Sequence, residues 1–230
     1  MANRMGAIKK MKMLVVGDSY STNYTVNSWT SLVEKHFNCT AENYARPASS
    51  LNYSYIKLTN CLQKRYYDVV IFALTSADRL FHRDIIIHDG FPQYNDGSPV
   101  TKDIKQAIKE YYLHLYDPQN ADIGNKVFCR AIGQLSLDYP NTKFIFIPAF
   151  HDFEKINVGN CVVTSRRLMH YSMLDAEGHA AEVRGEIVEK NNHLTLLQNE
   201  TLANYVIDFI VNYKFGCVTY KSLDKLEKLE

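Results

Sequence analysis

The stretch Met13-Leu-Val-Val-Gly-Asp-Ser19 decides how this chain is expected to fold. Its first four residues form a continuous apolar run, which is typical of a parallel strand buried on both faces. Gly17 permits a tight turn directly after that strand. Ser19 then stands at the carboxyl end of the strand, the edge at which open parallel sheets bind their ligands. The stretch therefore predicts a first strand and a candidate site beside it.

Further apolar runs and helical patterns extend this beginning. Strands are predicted at Asp68–Ala73, at Lys143–Pro148 and, more weakly, at Thr40–Ala45. The helical patterns between and after them cover Ser28–Phe37, Ser50–Arg65 and Thr201–Tyr213. Strands that alternate with helices predict an α/β sandwich with a mainly parallel sheet.

The chain length of 230 residues suits a single domain spanning residues 1–230. The segment of about residues 78–139 is long for one crossover, and its helical patterns lie near Thr101–Tyr116 and Ile123–Leu137. We interpret it as an insertion. It either lies over the site and contributes to substrate selectivity, or has a structural role only. A C-terminal tail of about residues 215–230 ends in the charged run Lys221–Glu230, which predicts a frayed amphipathic helix without a function.

Composition excludes several classes of protein. The net charge is +1 and there is no basic tract, which argues against a nucleic-acid partner. No window approaches the roughly 20 apolar residues of a membrane span, and the N-terminus lacks the apolar core of a signal peptide. Five cysteines without a C-x-x-C pair indicate free thiols in a cytoplasmic protein and no zinc site. We expect neither a metal nor a cofactor.

A serine after a strand needs a base before it can act as a nucleophile. Among eight histidines, His193 is the best candidate, because it immediately precedes the last helix, which Thr195 can cap. Backbone N–H groups in the turn after Gly17 can point at a developing oxyanion. These residues predict a Ser-His pair that joins the two ends of the chain.

Two blocks of sequence carry a resemblance to a known family. Val15-Val-Gly-Asp-Ser-Tyr20, together with His193-Leu-Thr195, resembles the SGNH (GDSL-type) hydrolases. This resemblance implies a three-layer α/β/α sandwich with a flavodoxin-like parallel sheet. It also implies hydrolysis of esters of acyl groups, lipids or acetylated sugars, with no cofactor.

The remaining blocks of the family are present in order but altered. Asn43-Tyr-Ala-Arg-Pro-Ala-Ser-Ser50 places Ala48 where the family has its oxyanion glycine. Ala73-Leu-Thr-Ser-Ala-Asp-Arg79 is nearer to the form of divergent phage and marine bacterial members, and it places Ser76 where the oxyanion asparagine usually stands. Lys190 occupies the position of the aspartate that would orient His193. The resemblance therefore implies an oxyanion hole built from Ser19, Ala48 and Ser76.

The altered aspartate position leaves the third catalytic group open. His193 works either in a dyad steered by a backbone carbonyl or with another acid, for which Glu189 and Asp175 are the candidates. Asp18 is expected to brace the turn by accepting backbone N–H groups. Further candidate supporting residues are Asn191 and Asn192.

The resulting functional hypothesis is a serine esterase that acts on a small-molecule or carbohydrate ester and does not bind nucleic acid or membrane. The alternative is a catalytically impaired carbohydrate- or lipid-binding protein of the same fold, or an acyltransferase. No pattern in the sequence indicates an oligomeric state.

Overall fold

A single parallel sheet organises the structure, a computed structural model that describes residues 10–23, 25–76, 79–82, 85–87, 92–94, 97–150, 156, 158–165, 167–169, 190–191 and 193–223. Six strands form the sheet: β1 (Met13–Val16), β2 (Ala41–Asn43), β3 (Val69–Leu74), β6 (Lys143–Pro148), β7 (Cys161–Thr164) and β10 (Val218–Lys221). Two short antiparallel hairpins lie outside it: β4 (Ile85–Ile86) with β5 (Gln93–Tyr94), and β8 (Lys190–Asn191) with β9 (Leu194–Thr195). The helices are α1 (Trp29–His36), α2 (Leu51–Lys64), α3 (Lys102–His114), α4 (Pro118–Asp138) and α5 (Leu196–Val211).

The strand order in the sheet is β10-β7-β6-β3-β1-β2, and every pair is parallel. The chain moves outward from β1 to β2, and then resumes on the other side of β1 with β3. The order therefore reverses around β1. In doubly wound sheets the ligand crevice opens at such a reversal, outside the carboxyl ends of the strands. The fold thus places the residues that follow β1, β2 and β3 around one crevice.

Helices cover both faces of the sheet, which makes three layers. On one face, alternate residues of the strands pack against α1 and α5, with Trp29 and Phe209 among the buried side chains. On the other face, the intervening residues pack against α2 and α4, with Leu58 and Ile132 buried. Because both faces are covered, β1 and β3 are apolar at every position. The predicted three-layer α/β/α sandwich with a parallel, flavodoxin-like sheet is confirmed.

Side-chain caps explain where the helices begin. Ser28 accepts a hydrogen bond from the Ser31 backbone at the start of α1, and Ser50 accepts one from Tyr53 at the start of α2. A capping box of Thr195 and Gln198 begins α5. Each cap satisfies backbone N–H groups that the first helical turn leaves without an intrahelical partner.

The structure differs from the sequence predictions at the C-terminal end of the chain. Residues 218–221 are expected in the C-terminal tail, but they form β10, which pairs in parallel with β7. Most of the run predicted as a frayed helix, residues 224–230, lies outside the described residues. Neither strand is predicted: β10 is a half-exposed edge strand with mixed polarity, and β7 is an apolar run of only three residues followed by Thr164. The last helix begins at Leu196, directly after the predicted cap Thr195 and five residues before Thr201, where its helical pattern is predicted to begin.

The segment of residues 78–139 contains the β4–β5 hairpin and α3, followed by α4. Among the described residues of this segment, only those of α4 pack on the sheet, whereas Ile85, Ile87 and Val100 form a separate small cluster with residues of α3. Most of the predicted insertion is therefore built around its own apolar cluster. Within the described part of the chain, no helix has the length and apolarity needed to cross a membrane.

Candidate active site

The turn after β1 places Ser19 at the edge of the crevice. Gly17 has φ 148°, and a Cβ atom there would lie 2.8 Å from the Ala73 Cβ and 2.9 Å from the Ala73 carbonyl oxygen. Only glycine fits this close approach to β3. The chain then forms a single 3-10 turn, Ser19–Ser21, in which the Asp18 carboxylate accepts the Tyr20 backbone N–H at 3.1 Å. Ser19 is half-buried, so its hydroxyl is held on a fixed turn that still borders solvent.

His193 lies at the turn of the β8–β9 hairpin, immediately before α5. Its backbone has φ 65°, in the left-handed region that side chains other than glycine seldom occupy. Strained backbone of this kind persists only where the surrounding structure holds it. Here the capping box of α5 holds the following residues, because Thr195 and Gln198 each bond the other's backbone. The exposed imidazole is therefore presented from a constrained turn.

The structure brings Ser19 and His193 together although they are 174 residues apart in sequence. The Nε2 atom of His193 lies 2.9 Å from the Ser19 Oγ atom, which is hydrogen-bond distance. With the ring proton on Nδ1, Nε2 accepts a hydrogen bond from the serine hydroxyl. The pair thus has the geometry of a nucleophile and its general base.

Packing around Tyr20 sets the position of the imidazole ring. The Tyr20 ring lies against His193 with centroids 4.9 Å apart, and Phe150 packs edge-on against Tyr20 at 5.4 Å. The Trp29 indole donates to the Tyr20 carbonyl oxygen at 2.6 Å. Tyr20 is therefore held in place by Trp29 of α1 and by Phe150, which follows β6.

Asn199 connects the two halves of the site. Its side-chain oxygen accepts the Trp29 backbone N–H at 2.9 Å, while its amide nitrogen donates to the carbonyl oxygens of Leu194 at 3.2 Å and Thr195 at 3.0 Å. Asn199 is completely buried. Its side chain thus ties α1, which holds the serine turn, to the backbone directly after His193.

The loop after β2 approaches the serine turn from the other side. Asn43 donates from its amide to the Ser21 carbonyl oxygen at 2.8 Å and accepts the Ala45 backbone N–H at 2.8 Å. The Ser49 hydroxyl donates to the Gly17 carbonyl oxygen at 2.6 Å. Between them, Ala48 has φ 57°. A left-handed residue at this position explains physically why glycine would suit it, as in the family that the sequence resembles.

A buried ion pair lies under the nucleophile. Asp18 is fully buried, and its Oδ2 atom lies 3.5 Å from the Arg79 guanidinium. Loss of hydration raises the pKa of the Asp18 carboxyl to about 6, although the Arg79 charge and the Tyr20 N–H act in the opposite direction. Burial therefore outweighs the attraction of the cation at this site.

Arg79 also holds the loop that contains Ala48. Its Nη1 atom donates to the Ser49 carbonyl oxygen at 3.2 Å and to the Thr75 hydroxyl oxygen at 2.9 Å. The Thr75 hydroxyl in turn donates to the same Ser49 carbonyl at 3.1 Å. The guanidinium also stacks on the Phe150 ring, 4.3 Å from its centroid. One cation thus links the ends of β1, β3 and β6 to the loop after β2.

The other predicted site residues fall into two groups. Ser76 is buried and follows β3 at the same edge of the sheet as Ser19. Asn191 pairs with Leu194 in the β8–β9 hairpin. Glu189, Asp175 and Asn192 lie outside the described residues. The third catalytic group therefore stays a prediction, and so does the oxyanion role of Ser76.

Sequence reasoning assigns no role to Arg79, Thr75 or Asn199. Arg79 and Thr75 belong to the stretch Ala73–Arg79. The sequence signal that could have indicated a role for them is their position directly after a buried strand. Asn199 carried a different signal, a polar residue on the apolar face of a helix. Across the described ranges, no group of three or more His, Cys, Asp and Glu side chains is arranged to hold a metal ion.

No protein-family model and no curated protein matches the chain. Among solved structures, it is similar to a protein named as a GDSL-like lipase from Parabacteroides merdae, with 12% identity over 90% of this chain and 97% of that one and a TM-score of 0.46. It is also similar to one named as an SGNH hydrolase from Slackia heliotrinireducens, with 10% identity over 86% and 97% of the two chains and a TM-score of 0.40.

A third similar structure is a carbohydrate esterase whose active site is said to display divergent catalytic and non-catalytic binding functions. Its identity to this chain is 12%, over 89% of this chain and 69% of that one, with a TM-score of 0.45. Two of these three structures are named as SGNH- or GDSL-type proteins, the family that the sequence blocks resemble. The identities are so low that the chemistry of the site has to be argued from its own atoms.

Proposed function

We propose that the protein is a serine-dependent hydrolase of small-molecule or carbohydrate-linked esters. The observation that carries the proposal is the 2.9 Å contact between the Ser19 hydroxyl and His193 Nε2 at the carboxyl edge of the sheet. A serine oxygen is a poor nucleophile until a base within hydrogen-bond reach removes its proton. His193 is such a base, and its exposed ring can also meet a leaving alcohol.

The reaction proceeds in two halves. Ser19 Oγ attacks the ester carbonyl carbon while its proton passes to His193 Nε2, and a tetrahedral intermediate forms. The intermediate collapses, the alcohol leaves with the proton from His193, and the acyl group stays on Ser19. Water then attacks the acyl-enzyme, with His193 as its general base, and the carboxylic acid is released. No metal or organic cofactor takes part in this scheme.

The negative charge of the intermediate needs hydrogen-bond donors. We assign the backbone N–H groups of Ser19 and Ala48 to this role, with Ser76 as a third donor. Support for Ala48 comes from its loop, which is fixed by the bonds of Ser49 to Gly17 and Arg79. Donors that are held in place before the charge develops lower the barrier most effectively, and removing one can cost about 10²–10³ in rate.

The proposal is tested with 4-nitrophenyl acetate and purified variants. We expect Ser19→Ala to reduce hydrolysis to background and His193→Ala to reduce kcat/KM by about 10²–10⁴, since that is the contribution of a positioned general base. The matched controls are Ser165→Ala and His36→Ala, both at exposed positions. A fluorophosphonate probe is expected to label wild type and not Ser19→Ala. Equal hydrolysis rates for wild type and Ser19→Ala would refute the proposal.

A second candidate function follows from Lys190, which replaces the aspartate of the resembled family. A site without an acid to orient the histidine is expected to be slow. The protein would then be a carbohydrate- or lipid-binding protein of this fold, or an acyltransferase whose acyl-enzyme reacts with an alcohol. Probe labelling without turnover favours the binding protein, and acyl transfer to added glycerol favours the transferase.

A further inference from the structure

A second cavity opens next to the active site, between α2, α4 and the residues that follow β3. Its volume is about 250 Å³. Neither Ser19 nor His193 lines it, so the mechanism above makes no use of it. The side chains relevant to its chemistry are Asn52, Arg79, Phe81, Tyr116, Asn120 and Phe128.

Two connections place this cavity beside the loop that contains Ala48. Leu51, in its wall, follows Ala48 by three residues, and three residues span at most about 11 Å. Arg79 lines the cavity as well, and its guanidinium donates to the carbonyl of Ser49, directly after Ala48. The cavity therefore borders the loop that we assign to the oxyanion hole.

The lining combines aromatic faces with neutral hydrogen-bonding groups. Phe81, Tyr116 and Phe128 supply rings, and the amides of Asn52 and Asn120 can each donate and accept hydrogen bonds. A ligand with one apolar face and a rim of hydroxyl groups would use both kinds of surface. Both asparagines are exposed, so the hydroxyl groups of a ligand would replace water as the hydrogen-bond partners of their amides.

The charges around the cavity disfavour an anionic ligand. The Arg79 side chain is only 11% exposed, and its guanidinium is already paired with the buried Asp18 carboxylate. The carboxylate of Asp117, at the cavity wall, would repel an anion. The volume lies just below the ~300–1,000 Å³ of sites that enclose a drug-sized molecule, so one six-membered ring is a suitable occupant.

We infer that this cavity binds one sugar ring of an O-acylated glycoside, a substrate assignment that rests on the proposed esterase function. The aromatic side chains contact the C–H face of the ring, and Asn52 and Asn120 bond its hydroxyl groups. The ester group then lies at Ser19, and the cavity selects the substrate through a part of it that does not react.

Binding is tested first, in Ser19→Ala, where no turnover can occur. Saturation-transfer NMR is recorded with the methyl glycosides of glucose, galactose, mannose, xylose and N-acetylglucosamine at 10 mM, a concentration chosen to be about tenfold above a millimolar Kd. We expect a signal for at least one glycoside, and its loss when Asn120→Ala or Phe81→Ala is added. Asn204→Ala, at an exposed position of α5, is the matched control and should leave the signal unchanged. No signal for the whole panel, or a signal that survives both substitutions, overturns the inference.

Turnover separates this inference from the proposed function. In the otherwise wild-type protein, Asn120→Ala and Phe81→Ala are expected to lower kcat/KM about tenfold for the O-acetylated form of the bound glycoside, and less than twofold for 4-nitrophenyl acetate. An equal loss for both esters means that the cavity holds the aryl group, which overturns the sugar assignment. If no ester is hydrolysed while glycoside binding still depends on Asn120, the esterase fails and the sugar site stands.

Discussion

Replacing Ala48 by glycine tests the conformation of the loop that we assign to the oxyanion hole. Ala48 has φ 57°, in the left-handed region. A residue with a Cβ atom loses about 1–2 kcal/mol there, whereas glycine does not. Glycine also adds conformational freedom to the unfolded chain, which costs about 0.4–1 kcal/mol of stability. The two effects leave a net gain of roughly 1 kcal/mol for Ala48→Gly.

The matched control is Ala107→Gly, at an exposed position inside α3. Glycine in a helix interior lowers stability by about 0.5–1 kcal/mol relative to alanine. Because both variants change the unfolded chain in the same way, the difference between them reports the native backbone at residue 48. We expect that difference to be about 1–2 kcal/mol, the cost of the left-handed conformation.

The free energy of unfolding is measured by urea titration, and the midpoint temperature by calorimetry. For a chain of 230 residues, 1 kcal/mol corresponds to a shift of about 2–4 °C. We expect the midpoint to rise for Ala48→Gly and to fall for Ala107→Gly. Because the assigned donor is a backbone N–H, hydrolysis by Ala48→Gly should stay close to wild type. A loss of stability in Ala48→Gly as large as in Ala107→Gly would refute the left-handed assignment.

Further substitutions test the turn and the buried contacts around the site. Gly17→Ala should destabilise the protein by about 1–3 kcal/mol, because of its positive φ and the contact of a new Cβ with Ala73; unchanged urea stability would contradict this. Asn199→Ala should cost about 1–3 kcal/mol by leaving buried groups unpaired and should lower kcat more than it raises KM; an unaltered kcat would argue against a positioning role. Arg79→Lys should lower kcat, since lysine lacks the planar guanidinium whose stacking on Phe150 holds Nη1 beside Asp18, Thr75 and Ser49; wild-type turnover would show that the Ser49 loop is held by other contacts. For Asp18→Asn we expect a changed pH dependence of stability. Burial raises the pKa of Asp18 in the folded state to about 6, above its value of 3.8 in the unfolded chain, so the folded protein binds the proton more tightly. The contribution of Asp18 to stability is therefore fully present below about pH 3.8 and is lost as the pH rises through about 6. Urea titrations between pH 4 and 7 should show this decline in wild type and in the exposed control Asp103→Asn, and not in Asp18→Asn; parallel curves for all three would exclude it.

Local sequence predicts much of the sheet and its helices because those elements depend on neighbouring residues. The first strand is a run of apolar residues covered on both faces. The turn after it requires Gly17 because a side chain there would clash with Ala73. Helix starts follow in the same way from Ser28, Ser50 and Thr195, whose side chains bond backbone groups three positions away. Such signals are visible in a single chain because the interacting groups are close in sequence.

Local sequence does not predict features that depend on contacts between segments far apart in the chain. Strand β10 looks polar in isolation, and only its pairing with β7 makes it part of the sheet. In the sequence, Arg79 is simply a charged residue after a strand. Its role depends on the fold, which places its guanidinium beside Asp18 and the Ser49 carbonyl. Asn199 acquires its role only when α5 packs against α1.

The sequence by itself determined that Ser19 follows a buried strand at a glycine turn and that His193 precedes a capped helix. Only the tertiary structure decided that these two side chains lie 2.9 Å apart. That distance depends on the strand order around β1, on Asn199 and on the packing of Tyr20, all of which join segments far apart in the chain. The physical reason is that local propensity acts over a few residues, whereas the placement of a base beside its nucleophile results from the burial of the whole core.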